Sequence, residues 1–180
     1  MKKLQYITIN LCLLTLLAAC GRPGNKTSEQ DHHTSAAQPT AVINSNTAAL
    51  KDPNLDAVYQ QYQKLVEALI AGDANAAKLP ALAIEAGARE IPGATTVAKA
   101  AAEISAATDL NGQRLAFAKL NEVFIKLVKQ TGTDNGKLYI AHCPMALDDE
   151  GASWVTNTRE IKNPYFGSSM LTCGTVTETL

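Results

Sequence analysis

The chain has 180 residues with 16 Lys and Arg against 17 Asp and Glu, a formal net charge of -1, and no basic stripe. Nucleic acid is therefore not an expected partner, because its recognition begins with a clustered positive surface. With 46% hydrophobic residues there is enough apolar material for one core, though the ends of the chain differ sharply from its middle.

The first segment reads as an export signal. Met1-Lys2-Lys3 is a basic start, residues 4–17 are mostly apolar, and Leu17-Ala18-Ala19-Cys20 follows as a small-residue cleavage site. The run falls short of the ~20 apolar residues a spanning helix needs. Cysteine directly after the cut resembles a bacterial lipobox, which implies cleavage before Cys20 and lipidation of its thiol. The expected product is a cell-envelope lipoprotein facing the periplasm and tied to the membrane by its acyl chains. Arg22, rather than an acidic residue, follows Gly21, which favours the outer membrane. Loss of residues 1–19 leaves 14 basic side chains against 17 acidic ones, a net charge of -3.

Residues 20–51 carry Ser, Thr, Asn, Gln and Gly with few large apolar side chains. They cannot bury enough surface to offset chain entropy, and are expected to be a flexible tether. Asp31-His32-His33 within it reads as a solvated segment rather than a metal site.

Residues 52–180 are expected to form a single domain, with a helical bundle over 52–131 and a cap over 132–180. Asp52-Pro53 supplies an N-cap acceptor and a proline at the first helical position. Leu55, Val58, Tyr59, Tyr62, Val66, Leu69 and Ile70 follow helical spacing, and Gly72 stops them. Asp73 is expected to cap an Ala-rich second helix reaching Glu90, kinked or divided at Leu79-Pro80. After Ile91-Pro92-Gly93, residues 94–108 form a third helix. A fourth begins after residues 109–111 and runs to about Thr131, with Phe117, Leu120, Phe124, Leu127 and Val128 along it. Four amphipathic helices with short connections predict a mainly α protein, an antiparallel four-helix bundle carrying a small β-containing C-terminal cap.

In the cap, Thr133-Asp134-Asn135-Gly136 reads as a turn. Strands are expected at Leu138-Tyr139-Ile140, at Trp154-Val155-Thr156 and over residues 171–179. This cap gathers the sparse residue types. His142-Cys143-Pro144-Met145 and Met170-Leu171-Thr172-Cys173 hold the two cysteines that remain after Cys12 leaves with the signal and Cys20 carries lipid. Thiolate and thioether sulfur together select monovalent copper or silver. Cys143 and Cys173 are the expected strong ligands, Met145 and Met170 the supporting thioethers, and His142 a further nitrogen donor. Zinc is disfavoured, since it takes nitrogen, thiolate and carboxylate ligands rather than methionine. The plain alternative is a Cys143 to Cys173 disulfide in an oxidising compartment, with methionines filling core gaps and His142 hydrogen-bonded. Arg114, on the same helical face as Phe117 and Asn121, is expected to reach an acidic partner or a cap carbonyl.

No Gly-rich phosphate loop, nucleophile elbow, His-Glu-x-x-His or Cys-x-x-Cys pair occurs. Neighbours in a strand face opposite ways, so His142 and Cys143 do not make a catalytic pair. No catalytic residue is assigned, and an enzyme is not expected.

The ordered set His142-Cys143-Pro144-Met145-Ala146, Gly151-Ala152 with Trp154, Asn163-Pro164-Tyr165-Phe166-Gly167 and Met170-Leu171 with Cys173-Gly174 resembles an uncharacterised bacterial domain. That domain also occurs fused to the C-terminus of periplasmic adaptors of Cus-type copper and silver efflux systems. Ala68-Leu69, Asp73, Arg114, Phe117 and Leu120 agree with it. Asn121 departs from it, standing where a small hydroxyl residue is expected. The resemblance implies a role in copper homeostasis or heavy-metal efflux, as buffer or chaperone, with an efflux adaptor as partner. A monomer is expected. The competing expectation is a disulfide-stapled interaction domain that docks onto such an adaptor or another envelope partner.

Overall fold

The computed structural model describes residues 48–180. The signal segment, Cys12, Cys20, His32, His33 and the tether as far as residue 47 lie outside the described residues. The described part is mainly helical, with small antiparallel sheets toward the C-terminus.

Helix α1 (Pro53–Ala71) starts where Asp52 accepts a hydrogen bond from Leu55 N at 2.8 Å, and stops at left-handed Gly72. Its buried face carries Leu55, Val58, Tyr59, Tyr62, Leu65 and Leu69. Asp73 does not cap a helix directly. It accepts from Asn75 N and Ala76 N and closes a turn, so helix α2 (Lys78–Arg89) begins later than expected. Pro80 then falls in the first turn, where a missing N–H costs nothing, and α2 is neither kinked nor divided there. Helix α3 (Thr95–Ala106) buries Val97, Ala98, Ala101 and Ile104. Helix α4 (Leu110–Thr131) starts directly after Asp109, which accepts from Gly112 N at 2.8 Å. Residues 110 and 111, expected in the connection, are its first turn.

Helix α2 packs on both α1 and α3, and α3 packs on α4. Aromatic rings join α1 to α4: Tyr62 stacks on Phe124 with centroids 4.7 Å apart and lies 5.6 Å from Phe117. All three rings are fully buried.

Composition alone misplaces residues 48–51. Ala48 and Leu50 are buried, and strand β1 (Ala49–Leu50) pairs antiparallel with β2 (Thr133–Asn135), within the segment expected to be a turn. The domain therefore begins inside the expected tether. One leucine amid polar residues suffices, because it enters a core built by the helices.

The second sheet has the order β4-β3-β5, with β3 (Tyr139–Cys143) antiparallel to β4 (Ala152–Thr156) and to β5 (Thr175–Thr179). Strand β3 runs three residues past the expected Ile140, so His142 and Cys143 are both strand residues. Between β3 and β4 lies a single turn, α5 (Ala146–Asp149), in which Leu147 and Asp148 have φ of 56°.

Candidate metal centre

Cys143 ends β3, and Cys173 stands two residues before β5 starts. The register places His142 opposite Thr175, so the chain leading into β5 crosses the end of β3. Gly174 makes that crossing close. At φ 128° it lies where a Cβ would come within 2.8 Å of His142 O and 3.1 Å of the Trp154 ring. The two sulfurs consequently lie 2.6 Å apart, Cys143 buried and Cys173 half-buried. The neighbouring thiol of Cys143, followed by burial, raises the pKa of Cys173.

Asn163 fixes the approach of Cys173. It is completely buried, and its Nδ2 donates to Cys173 O at 2.8 Å while its backbone N donates to Leu171 O at 2.8 Å. Its Oδ1 accepts from Tyr165 N at 2.8 Å and Phe166 N at 3.3 Å. One amide thus shapes the Asn163-Pro164-Tyr165-Phe166 turn and ties it to the cysteine segment.

That turn is held against the helices by Arg114, whose Nε donates to Pro164 O at 3.0 Å and Nη2 to Leu69 O at 3.2 Å. Of the two expected partners for Arg114, the structure supplies carbonyls. Burial lowers its pKa. Gly167, at φ 58°, sits where a Cβ would meet Ile70 O at 2.7 Å and Arg114 Nη2 at 3.0 Å, so the turn touches the end of α1 directly.

Behind the sulfur pair lies a closed polar network. Tyr62 OH donates to Asn121 Oδ1 at 2.6 Å and accepts from Val155 N at 2.9 Å. Asn121 Nδ2 donates to Tyr165 OH at 3.2 Å and to Phe117 O at 3.0 Å, and Tyr165 OH donates to Ser153 O at 2.9 Å. Burial pushes both tyrosine pKa values well up. Asn121, the departure from the expected motif, joins α1, α4, β4 and the cap turn. A serine hydroxyl is too short to make these contacts from the same backbone position.

The remaining candidate ligands are distributed differently. His142 is half-buried; its Nδ1 lies 3.0 Å from Ser153 Oγ, its partner across the ladder, and its ring lies over Gly151. It lines a groove with Glu122, Ile125 and Lys129, while strand alternation turns Cys143 the other way. The structure does not bring His142 to the sulfur pair. Met145 and Met170 share another groove, with Arg114, Asp148, Asp149 and Phe166, which neither cysteine lines. Among the described residues no three His, Cys, Asp or Glu side chains gather as metal ligands. A closed zinc site would require such a group. Two cysteine sulfurs are the donor type that a soft monovalent ion prefers, but at 2.6 Å they lie closer than two ligands of one ion stand, since metal–sulfur bonds of about 2.3 Å hold them farther apart.

Sequence reasoning expected Asn163-Pro164 to shape its loop, but missed that Asn163 also pins the Cys173 carbonyl and that Asn121 ties Tyr62 to Tyr165. The advance signal at Asn121 was an amide on a helix face shared with Phe117, where burial demands partners.

No curated protein and no solved structure matches the chain. Residues 58–136, from the first turns of α1 to just beyond β2, match the family model described as "Protein of unknown function (DUF3347)", a match that ends before Cys143.

Proposed function

We propose that this protein is a lipid-anchored envelope protein that binds monovalent copper or silver through Cys143 and Cys173, serving copper homeostasis or heavy-metal efflux as buffer or chaperone. The single observation that carries the reading is that two sulfurs from segments 30 residues apart meet at one place, 2.6 Å from each other at rest, from where they part to take an ion between them. In their reduced form they offer two thiolates to one ion. Uptake of an ion displaces the proton that Cys173 holds under its raised pKa, so affinity rises with pH. Lipidation at Cys20 places the domain at the membrane, with the periplasmic face of the outer membrane favoured. A heavy-metal efflux adaptor is the partner that the motif resemblance suggests. The helical part serves as an antiparallel four-helix bundle, a reading supported by the α1 to α2 to α3 to α4 packing and by Tyr62 seated between Phe117 and Phe124.

The experiment is a competition between the reduced chain and a copper(I) chelator. Cys173→Ser should weaken binding nearly as far as the double cysteine variant, because one thiolate cannot hold the ion alone. Absence of uptake at sub-micromolar free copper refutes the reading. Replacement of Cys20 by Ala should abolish fatty-acid labelling and release the domain from membranes.

The same separation favours a second reading. If the sulfurs rest as a disulfide, the cap is a stapled surface for an envelope partner. Thiol titration of the native protein distinguishes the two, since only metal binding needs free or readily reducible sulfur.

A further inference from the structure

Met145 and Met170 come from segments 25 positions apart, yet both line one groove of about 520 Å³ that the cysteines do not reach. Met145 is 48% exposed. A methionine that merely fills a core gap hides its sulfur; this one stands open to solvent at the groove. Asp148 and Asp149 line the same groove and add negative charge beside the thioethers. Arg114 also lines it, but its Nε and Nη2 are engaged with Pro164 O and Leu69 O.

We infer that this groove is a second soft-metal site, in which the thioethers of Met145 and Met170 hold a monovalent silver or copper ion whatever the oxidation state of Cys143 and Cys173. Thioether sulfur carries no proton to lose and forms no disulfide, so it stays a donor in an oxidising compartment where thiols do not. The carboxylates draw a cation into the groove without being its principal ligands. The inference deepens the soft-metal reading above, from which it borrows the class of ion, but it uses different atoms and fails independently.

The test uses the full chain carrying Cys12→Ser and Cys20→Ser, so that Cys143 and Cys173 are its only thiols. The probe is silver nitrate in chloride-free buffer, followed by calorimetry and by the ¹³C-labelled methionine methyl resonances. With Cys143 and Cys173 oxidised to a disulfide, one silver ion should bind and the methyl signals of Met145 and Met170 should both shift, while that of Met1 stays in place. Met145→Leu with Met170→Leu, a volume-conserving pair, should lower silver affinity of the oxidised chain at least tenfold. Lack of silver uptake by the oxidised chain, or a shift of only one methyl or neither, overturns the second site, and this readout needs no variant in the groove. If the reduced chain binds silver with an affinity that Cys173→Ser leaves unchanged, the cysteine reading falls while the methionine site stands.

Discussion

The side chain of Asn163 donates to the backbone carbonyl of Cys173 at 2.8 Å, and this bond sets where the second sulfur of the cap can be. Asn163→Ala should orphan Tyr165 N and Cys173 O together. The expected loss is about 1–3 kcal/mol in urea unfolding for each group left buried and unpaired. Native thiol-reagent modification of Cys173 in the reduced chain should also accelerate, since the segment that carries it is no longer pinned. An unchanged modification rate would show that the turn is held by other contacts.

Asn121→Ala should break the network between Tyr62 and Tyr165, and its cost should not add to that of Tyr62→Phe. The two residues share one bond at 2.6 Å. A double-mutant cycle should return a coupling of about 0.5–3 kcal/mol. A coupling near zero would mean that the Tyr62 hydroxyl proton finds another acceptor, since Val155 N only donates to that oxygen.

Phe124 is fully buried and stacked on Tyr62. Phe124→Ala should cost about 3–5 kcal/mol of unfolding free energy. A loss below ~1 kcal/mol would mean that the α1 to α4 seam collapses around the vacancy.

Stability should fall at alkaline pH. Tyr62 and Tyr165 have pKa values raised by burial in the folded state, whereas the unfolded chain loses these protons near pH 10. Their contribution is complete below that value and declines as pH rises above it, by about 1.4 kcal/mol per pH unit for each tyrosine. Tyr62→Phe should reduce the fall in unfolding free energy between pH 10 and 11 by about 1 kcal/mol, since the unfolded tyrosine is only half ionised at the start of that interval.

Oxidising Cys143 and Cys173 to a disulfide closes a loop spanning 30 positions. Relative to the reduced chain, the oxidised chain should be more stable by roughly 3–4 kcal/mol if loop entropy dominates. Paired urea curves with and without reductant measure the difference.

Local signals in the sequence identify the helices well. Asp52-Pro53, Gly72 and the apolar spacing of Phe117, Leu120, Phe124 and Val128 each act over one or two turns, and each stands where local chemistry predicts. Pairings between distant segments leave no such trace. Strand β1 is two residues long and owes its existence to Thr133–Asn135, more than 80 positions away. The late start of α2 depends on Asp73 closing a turn, which relieves Pro80 of any strain. In the cap, alternation along β3 already separates His142 from Cys143. The separation of the methionine groove from the cysteines was not legible, because between Met145 and β4 the chain makes a left-handed turn over Leu147, Asp148 and Asp149, a conformation that leucine does not favour.

The tyrosine hydroxyls have a further effect on how the sheet meets other molecules. Strand β4 is a border of the sheet, and along its outer side Val155 N and Ser153 O are occupied by Tyr62 and Tyr165. An incoming β-strand from another chain finds no free ladder at those positions, so aggregation by edge pairing is blocked on that flank. The opposite border is β5, where Glu178 forms an ion pair with Lys129, and a bulge interrupts the register between Ile140 and Ala141. Charge and irregularity stand on this flank in place of hydroxyls, so the two borders of one three-stranded sheet discourage strand addition by different means.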